Sequence, residues 1–126
     1  MKSKLVILFS LILMGLSSCY KDILSPGQDP TAPPQDVSFS GDLQPVFTAS
    51  CSASGCHDAV PTHKPSLTAD KAYTAILSGG YVNTLVPVNS ILYGEVKSGN
   101  MPQNGSLKPA DIQKILDWIR NGAKNN

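Results

Sequence analysis

The chain has 126 residues, with 10 Lys and Arg against 9 Asp and Glu and a formal net charge of +1. This length predicts one small domain at most, and the balanced charge excludes the basic excess that is typical of nucleic-acid-binding proteins. Because 41% of the residues are hydrophobic and fall in clear runs, wholesale disorder is excluded as well.

The N-terminal segment has the pattern of a secretion signal. Two lysines precede an apolar stretch over residues 5–16, and small serines follow it. The stretch is shorter than the roughly 20 residues that a membrane-spanning helix needs, and polar, proline-rich sequence comes next. Residues 1–18 are therefore predicted to be a cleaved signal.

Leu16-Ser17-Ser18-Cys19 resembles the lipobox of bacterial lipoproteins. The resemblance implies that Cys19 is lipidated, becomes the new N-terminus and anchors the protein to a membrane. The predicted location is the bacterial cell envelope, either facing the periplasm or at the outer membrane. An ordinary signal followed by a chance cysteine is the alternative.

Residues 19–37 are predicted to form a tether after the signal. Four prolines in this stretch interrupt any helical or strand periodicity. The remaining residues, 38–126, are predicted to form the folded domain. Helical periodicity dominates there, so we expect an all-α domain of about four short helices with long loops.

The first predicted helix starts near Asp42 and leads into Cys51. Leu43, Val46 and Phe47 are spaced so that they share one face of this helix. Pro45 is compatible with it, because the amides of the first helical turn have no partner inside the helix.

The second and third predicted helices are short, and a glycine follows each. Thr68 is the predicted cap of the second helix, and Ser90 or Asn89 is that of the third. The apolar residues assigned to their buried faces are Ala72, Tyr73, Ile76 and Leu77 in the second and Ile91, Leu92, Tyr93 and Val96 in the third.

The last predicted helix has the strongest pattern. Asp111 lies in its first turn, Arg120 in its last turn, and Gly122 follows. Its start at Lys108 lacks a good capping side chain. The residues at i, i+3, i+4 and i+7 that form its apolar stripe are Ile112, Ile115, Leu116 and Ile119.

The main chemical motif is Cys51, Cys56 and His57, with four residues between the cysteines. Two thiols beside an imidazole suggest c-type haem attachment, in which each thiol adds to a vinyl group and the histidine binds the iron. The usual motif has two residues between the cysteines. On a regular helix the longer step places the thiols about 140° apart, so the insertion must loop out, which Gly55 permits.

Two other interpretations of these residues stay open. Cys51 and Cys56 can form a disulfide in an oxidising compartment. Alternatively, Cys51, Cys56, His57 and His63 have the residue types of a zinc site.

The order of motifs along residues 40–123 resembles that of a small class I cytochrome c. The residues that carry the resemblance are Phe47, Cys51, Cys56-His57, Pro65-Ser66-Leu67, Asn100-Met101-Pro102 and Trp118-Ile119. The family implies a cytochrome c-like fold with one covalently attached haem c per chain. It also implies that the first and last helices cross at Phe47 and Trp118.

The resemblance assigns roles to individual residues of this chain. The carbonyl of Pro65 would accept the Nδ1–H of His57, the proximal iron ligand, and Leu67 would pack against the haem. Met101 matches the sulfur ligand on the opposite side of the iron. It lies among loop residues rather than on a helix face, which favours ligation over core packing. His63, a rival ligand, is expected to be a solvated loop residue.

The implied function is that of a single-electron carrier rather than an enzyme. With two protein ligands the iron has no open position, so no small-molecule substrate is expected. Redox proteins that dock transiently are the expected partners. The alternatives are a haem sensor or small haem enzyme with an open sixth site, and a haem-free interaction module stabilised by a disulfide or by zinc.

Overall fold

A computed structural model describes residues 31–126 of the protein. The predicted signal, Cys19 and most of the tether lie outside the described residues. Between residues 31 and 126 the chain forms helices and loops without a strand, which confirms the all-α prediction. No helix in this range is long and apolar enough to cross a membrane. The α-helices are α1 (Gln44–Ser50), α2 (Ala72–Ser78), α3 (Ile91–Lys97) and α4 (Pro109–Arg120).

The first helical segment begins earlier than predicted. A π-helical turn, Phe39–Leu43, leads directly into α1. Ser38 caps this turn, because its hydroxyl oxygen accepts the backbone N–H of Gly41. As predicted, the segment runs into Cys51, whose N–H still donates to the carbonyl of Phe47 at 2.9 Å.

The predicted side-chain cap of α2 is wrong. Thr68 accepts hydrogen bonds from two following N–H groups through its carbonyl, but its hydroxyl donates to Asp70 at 2.7 Å. The helix itself begins at Ala72 without a side-chain cap. Ile76 lies in the core as expected, whereas Leu77 is 37% exposed. A seven-residue helix has room for only a narrow buried face, which Leu77 falls outside.

Helix α3 begins where the sequence predicts, but its cap is different. Ser90 occupies the capping position, and its hydroxyl oxygen accepts the N–H of Asn83 at 2.8 Å instead of a helical N–H. This bond closes the loop before the helix. Tyr93 and Val96 are buried, while Ile91 is 54% exposed.

Helix α4 confirms its sequence pattern most fully. Ile115, Leu116 and Ile119 are completely buried. Lys108 precedes the helix without making a capping hydrogen bond. This start is compatible with Pro109 in the first helical turn, because proline has no N–H to satisfy there.

Aromatic rings form the centre of the core. Phe47 and Trp118, at which the resemblance implies that the first and last helices cross, are both buried. The ring of Phe39 joins them, since its centroid lies 6.0 Å from that of Phe47 and 5.2 Å from that of Trp118. Tyr73 of α2 packs edge-on against Phe39 at 5.2 Å. The π-helical turn therefore provides the contact between the N-terminal helical segment and α4.

The described end of the predicted tether lies against α4. Arg120 donates to the carbonyl of Ala32 at 2.7 Å, and Asn121 donates to the carbonyl of Gln35 at 2.6 Å. Val37 is buried in the core. Ala32, Gln35 and Val37, which belong to the predicted tether, therefore contact the folded domain.

Candidate functional site

His57 is held in one orientation by a main-chain partner. Its Nδ1 lies 2.8 Å from the carbonyl oxygen of Pro65. A carbonyl oxygen can only accept, so the hydrogen bond requires the proton on Nδ1, and in the neutral ring Nε2 is then the nitrogen with a lone pair for a metal. A metal-binding histidine needs this tautomer and this kind of support. The contact is the one that the family resemblance implied for Pro65.

Two further hydrogen bonds hold residues 65–67 against residues 57–58. The N–H of Leu67 donates to the carbonyl of His57 at 2.8 Å. The hydroxyl of Ser66 donates to the carbonyl of Asp58 at 2.7 Å. Leu67 and Ser66 are both buried, so these bonds are shielded from water. Pro65, whose carbonyl bonds His57, therefore lies in a segment that several hydrogen bonds hold in place.

Helix α1 stabilises the same segment from the other side. The side-chain amide of Gln44 donates to the carbonyl of Leu67 at 3.1 Å. Leu67 thus links α1 to the backbone of His57. A displacement of α1 would be transmitted to the carbonyl that orients the imidazole.

The four residues between the two cysteines form a loop, as the sequence predicts. Cys51 ends α1, and its carbonyl accepts the N–H of His57 at 3.2 Å. The N–H of Cys56 donates to the carbonyl of Ala53 at 3.0 Å, which forms a tight turn. Gly55 has a φ of 82°, a left-handed conformation that glycine adopts without strain. The loop brings His57 back to the end of α1.

The two cysteines of the motif are free thiols with different exposure. Cys51 is buried and Cys56 is half-buried. Burial, with a smaller contribution from the neighbouring Cys56, raises the pKa of the Cys51 thiol to about 11. Cys51 is therefore a neutral thiol near pH 7.

The four residues of the zinc interpretation, two cysteines and two histidines, do not form one metal-binding cluster. Between residues 31 and 126, no group of three or more His, Cys, Asp or Glu side chains is arranged to hold a metal ion. His63 is exposed at the tip of the loop that separates Asp58 from Pro65, as predicted.

Met101 lies on a different loop, between α3 and α4. Its backbone N–H donates to the carbonyl of Glu95 at 3.1 Å, and its side chain is half-buried. In the described chain, no hydrogen bond links Met101 to the cysteine–histidine motif. The motif, Pro65 and Leu67 form one hydrogen-bonded group, and Met101 lies on a separate loop.

These residues fit a covalently attached haem. One thiol ends α1, the second follows in the loop directly before an imidazole whose Nδ1 is hydrogen-bonded, and a thioether is present on another loop. Thiols, imidazole and thioether are the groups that attach and ligate a c-type haem. A cleft of about 250 Å³ beside Trp118 and Val37 is a separate feature and contains none of these side chains.

Asp58 also belongs to this site, although the sequence analysis assigned it no role. Its carboxylate accepts N–H groups from Gly55 at 3.2 Å and from Val60 at 3.1 Å. The second bond is the Asx turn that an aspartate forms with the residue two positions later, so a local signal was present.

Comparisons of the chain with protein-family models, with curated proteins and with solved structures found no match.

Proposed function

We propose that this protein is a monohaem c-type cytochrome that carries single electrons at the bacterial envelope. The observation that supports this most strongly is the hydrogen bond between His57 Nδ1 and the carbonyl of Pro65. It leaves Nε2 free for iron and lies beside two thiols that are suited to covalent attachment. The helix order, with α1 leading into the motif and α4 packing on the preceding turn, supports a cytochrome c-like fold.

The residues of the chain have distinct roles in this proposal. Cys51 and Cys56 would hold the haem covalently, and His57 and Met101 would ligate its iron. When bound, the haem supplies one-electron chemistry between the ferric and ferrous states. A thioether ligand raises the reduction potential relative to a second imidazole.

Several further properties follow from two protein ligands. With two protein ligands on the iron, no position would remain for a substrate, so the protein would act as an electron carrier rather than as an enzyme. Electron transfer then depends on transient docking with redox proteins through a small interface. Lipidation of Cys19 would keep the carrier at the membrane, and the chain before Ala32 would connect it to the anchor.

The decisive experiment is the intact mass of protein matured in a host that assembles c-type cytochromes, together with the spectrum of its reduced form. We expect a covalent gain of about 616 Da, the mass of one haem, with c-type absorption bands. The variant that replaces both Cys51 and Cys56 by Ser should lose the covalent mass. Ser54→Ala is the matched control, because it changes an exposed residue of the same loop and keeps both thiols.

Other outcomes would refute the proposal in defined ways. A mass two hydrogens below that of the polypeptide would indicate a Cys51–Cys56 disulfide and an interaction module without haem. A haem-loaded protein that is high-spin in the ferric state and binds carbon monoxide would instead indicate a sensor or small enzyme with an open sixth site.

A further inference from the structure

The spacer between the cysteines poses a geometric problem for attachment. It is two residues longer than in the usual motif, and three of its residues, Ala53, Ser54 and Gly55, are exposed to solvent. Exposed loop residues without apolar contacts lose conformational entropy when they are ordered. The position of the Cys56 thiol relative to Cys51 and His57 therefore depends on the hydrogen bonds that order this loop.

Asp58 provides the side-chain hydrogen bonds at the end of the loop. Oδ2 accepts the N–H of Gly55, the residue directly before Cys56, and Oδ1 accepts the N–H of Val60. The carbonyl of Asp58 accepts the buried hydroxyl of Ser66 at 2.7 Å. One residue thus joins the spacer, the loop after the motif and the segment that orients His57.

The charge of Asp58 strengthens these contacts. Hydrogen bonds from backbone N–H groups to a carboxylate are stronger than those to a neutral acceptor. Both donors come from loop positions that lack a helical partner, and Gly55, whose φ is 82°, donates its N–H to Asp58. The carboxylate favours the turn in which Cys56 also donates to Ala53.

We propose that Asp58 is a positioning residue for haem attachment, which it makes possible despite the four-residue spacer. This inference rests on the proposed function. In the attachment step, the sulfur of Cys56 bonds to one carbon of a vinyl group, and the thiol hydrogen goes to the other carbon. Nothing is released and no oxidant or reductant is consumed. Asp58 takes no part in the bond changes and acts only by presenting the thiol.

The test combines Asp58→Ala with a shortened spacer. Deletion of Ser52 and Ala53 gives the usual two-residue spacing and leaves Ser54 and Gly55 between the cysteines. The full chain and its variants are matured in the same host, and peptide masses give the fraction of Cys51 and of Cys56 that carries a thioether. Asp70→Ala is the control, because Asp70 is an exposed carboxylate that accepts from Thr68 and does not contact the motif.

In the natural spacing, Asp58→Ala should lower the fraction of attached Cys56 roughly tenfold, as expected when a hydrogen bond to a charged group is lost. Asp58→Asn should have a smaller effect, because it keeps one acceptor oxygen. In the shortened spacer, Asp58→Ala and the parent should attach haem equally. An effect of Asp58→Ala that is limited to the natural spacing would show that Asp58 positions the Cys56 thiol. An effect on folding in general would appear with both spacings.

Three outcomes would overturn the inference. Full attachment in Asp58→Ala with the natural spacing would show that the carboxylate is not needed. An equal loss with both spacings would show a general structural role. If the natural chain carries no haem, both the proposed function and the inference about Asp58 fail. If the natural chain and Asp58→Ala both carry haem fully, only the inference about Asp58 fails.

Discussion

The carboxylate of Asp117 accepts the backbone N–H of Gln35 at 3.2 Å, which joins positions 82 residues apart. Its other oxygen accepts the side-chain amide of Gln113 at 2.9 Å and the guanidinium of Arg120 at 3.1 Å. The side chain of Asp117 is only 2% exposed, so a buried charge is satisfied by three donors. This arrangement fastens residues 32–37 to α4.

We expect Asp117→Ala to lower the free energy of unfolding by about 2–4 kcal/mol, because it leaves Arg120 and Gln113 without their shared acceptor. Asp117→Asn should be milder, since it keeps one acceptor oxygen. Urea unfolding followed by circular dichroism measures both changes. Asp111→Ala, at the start of the same helix, should change the stability by less than about 1 kcal/mol. An equally small effect of Asp117→Ala would show that the network does not stabilise the domain.

Local sequence patterns predicted much of the fold and part of the site. The spacing of apolar residues, which depends only on nearby positions, predicted three features. These are the apolar stripe of α4, the position of Cys51 at the end of α1 and the partly buried faces of α2 and α3. The contact between His57 and Pro65 was also expected, because a family resemblance supplied a partner eight residues away.

Features that depend on distant contacts could not be predicted in this way. Phe39 precedes the expected helix start, and its role as the ring between Phe47 and Trp118 arises from a π-helical turn. The helix caps were mispredicted for a different reason, which is local. Thr68 and Ser90 both have the right residue type for a cap, but their hydroxyls bind Asp70 and Asn83 instead. Competing local hydrogen bonds decide such cases.

Phe39 gives a second test of stability. It is 3% exposed and contacts three other aromatic rings, so Phe39→Ala should cost about 3–5 kcal/mol of unfolding free energy. Phe39→Leu keeps most of the apolar volume and should cost less. Urea unfolding followed by the fluorescence of Trp118 reports on this cluster directly. Val88→Ala, at a position 51% exposed, is the control and should be close to neutral. A neutral Phe39→Ala would contradict the proposed place of this ring in the core.

The buried thiol of Cys51 predicts a pH dependence in protein prepared without haem. Its pKa is raised from 9.0 to about 11, so alkylation of Cys51 should be slow at pH 8 and should accelerate up to about pH 11. The folded protein disfavours the Cys51 thiolate. The contribution of this group to the free energy of unfolding is therefore fully present below pH 9 and is lost as the pH rises through about 11.

Peptide mass spectrometry after timed alkylation measures the rate at Cys51. Urea unfolding between pH 8 and pH 11 measures the stability, with Cys51→Ala as the comparison. The variant should lack the part of the pH dependence that Cys51 contributes. If Cys51 is alkylated rapidly at pH 8, its thiol is not buried in the folded protein.

Met101 provides the sharpest test of the iron ligands. If the proposed function holds, Met101→Ala should keep the covalent haem, because attachment would depend on Cys51 and Cys56, but it should open the sixth position. The ferrous variant is then expected to bind carbon monoxide, which the parent protein should ignore. Its reduction potential should fall by about 0.1 V or more, since the axial ligands set the potential of a haem. Gln103→Ala, at an exposed position of the same loop, should leave the spectrum and the potential unchanged. An unaltered spectrum in Met101→Ala would exclude Met101 as a ligand and would favour a protein whose sixth position is open or is filled by another residue.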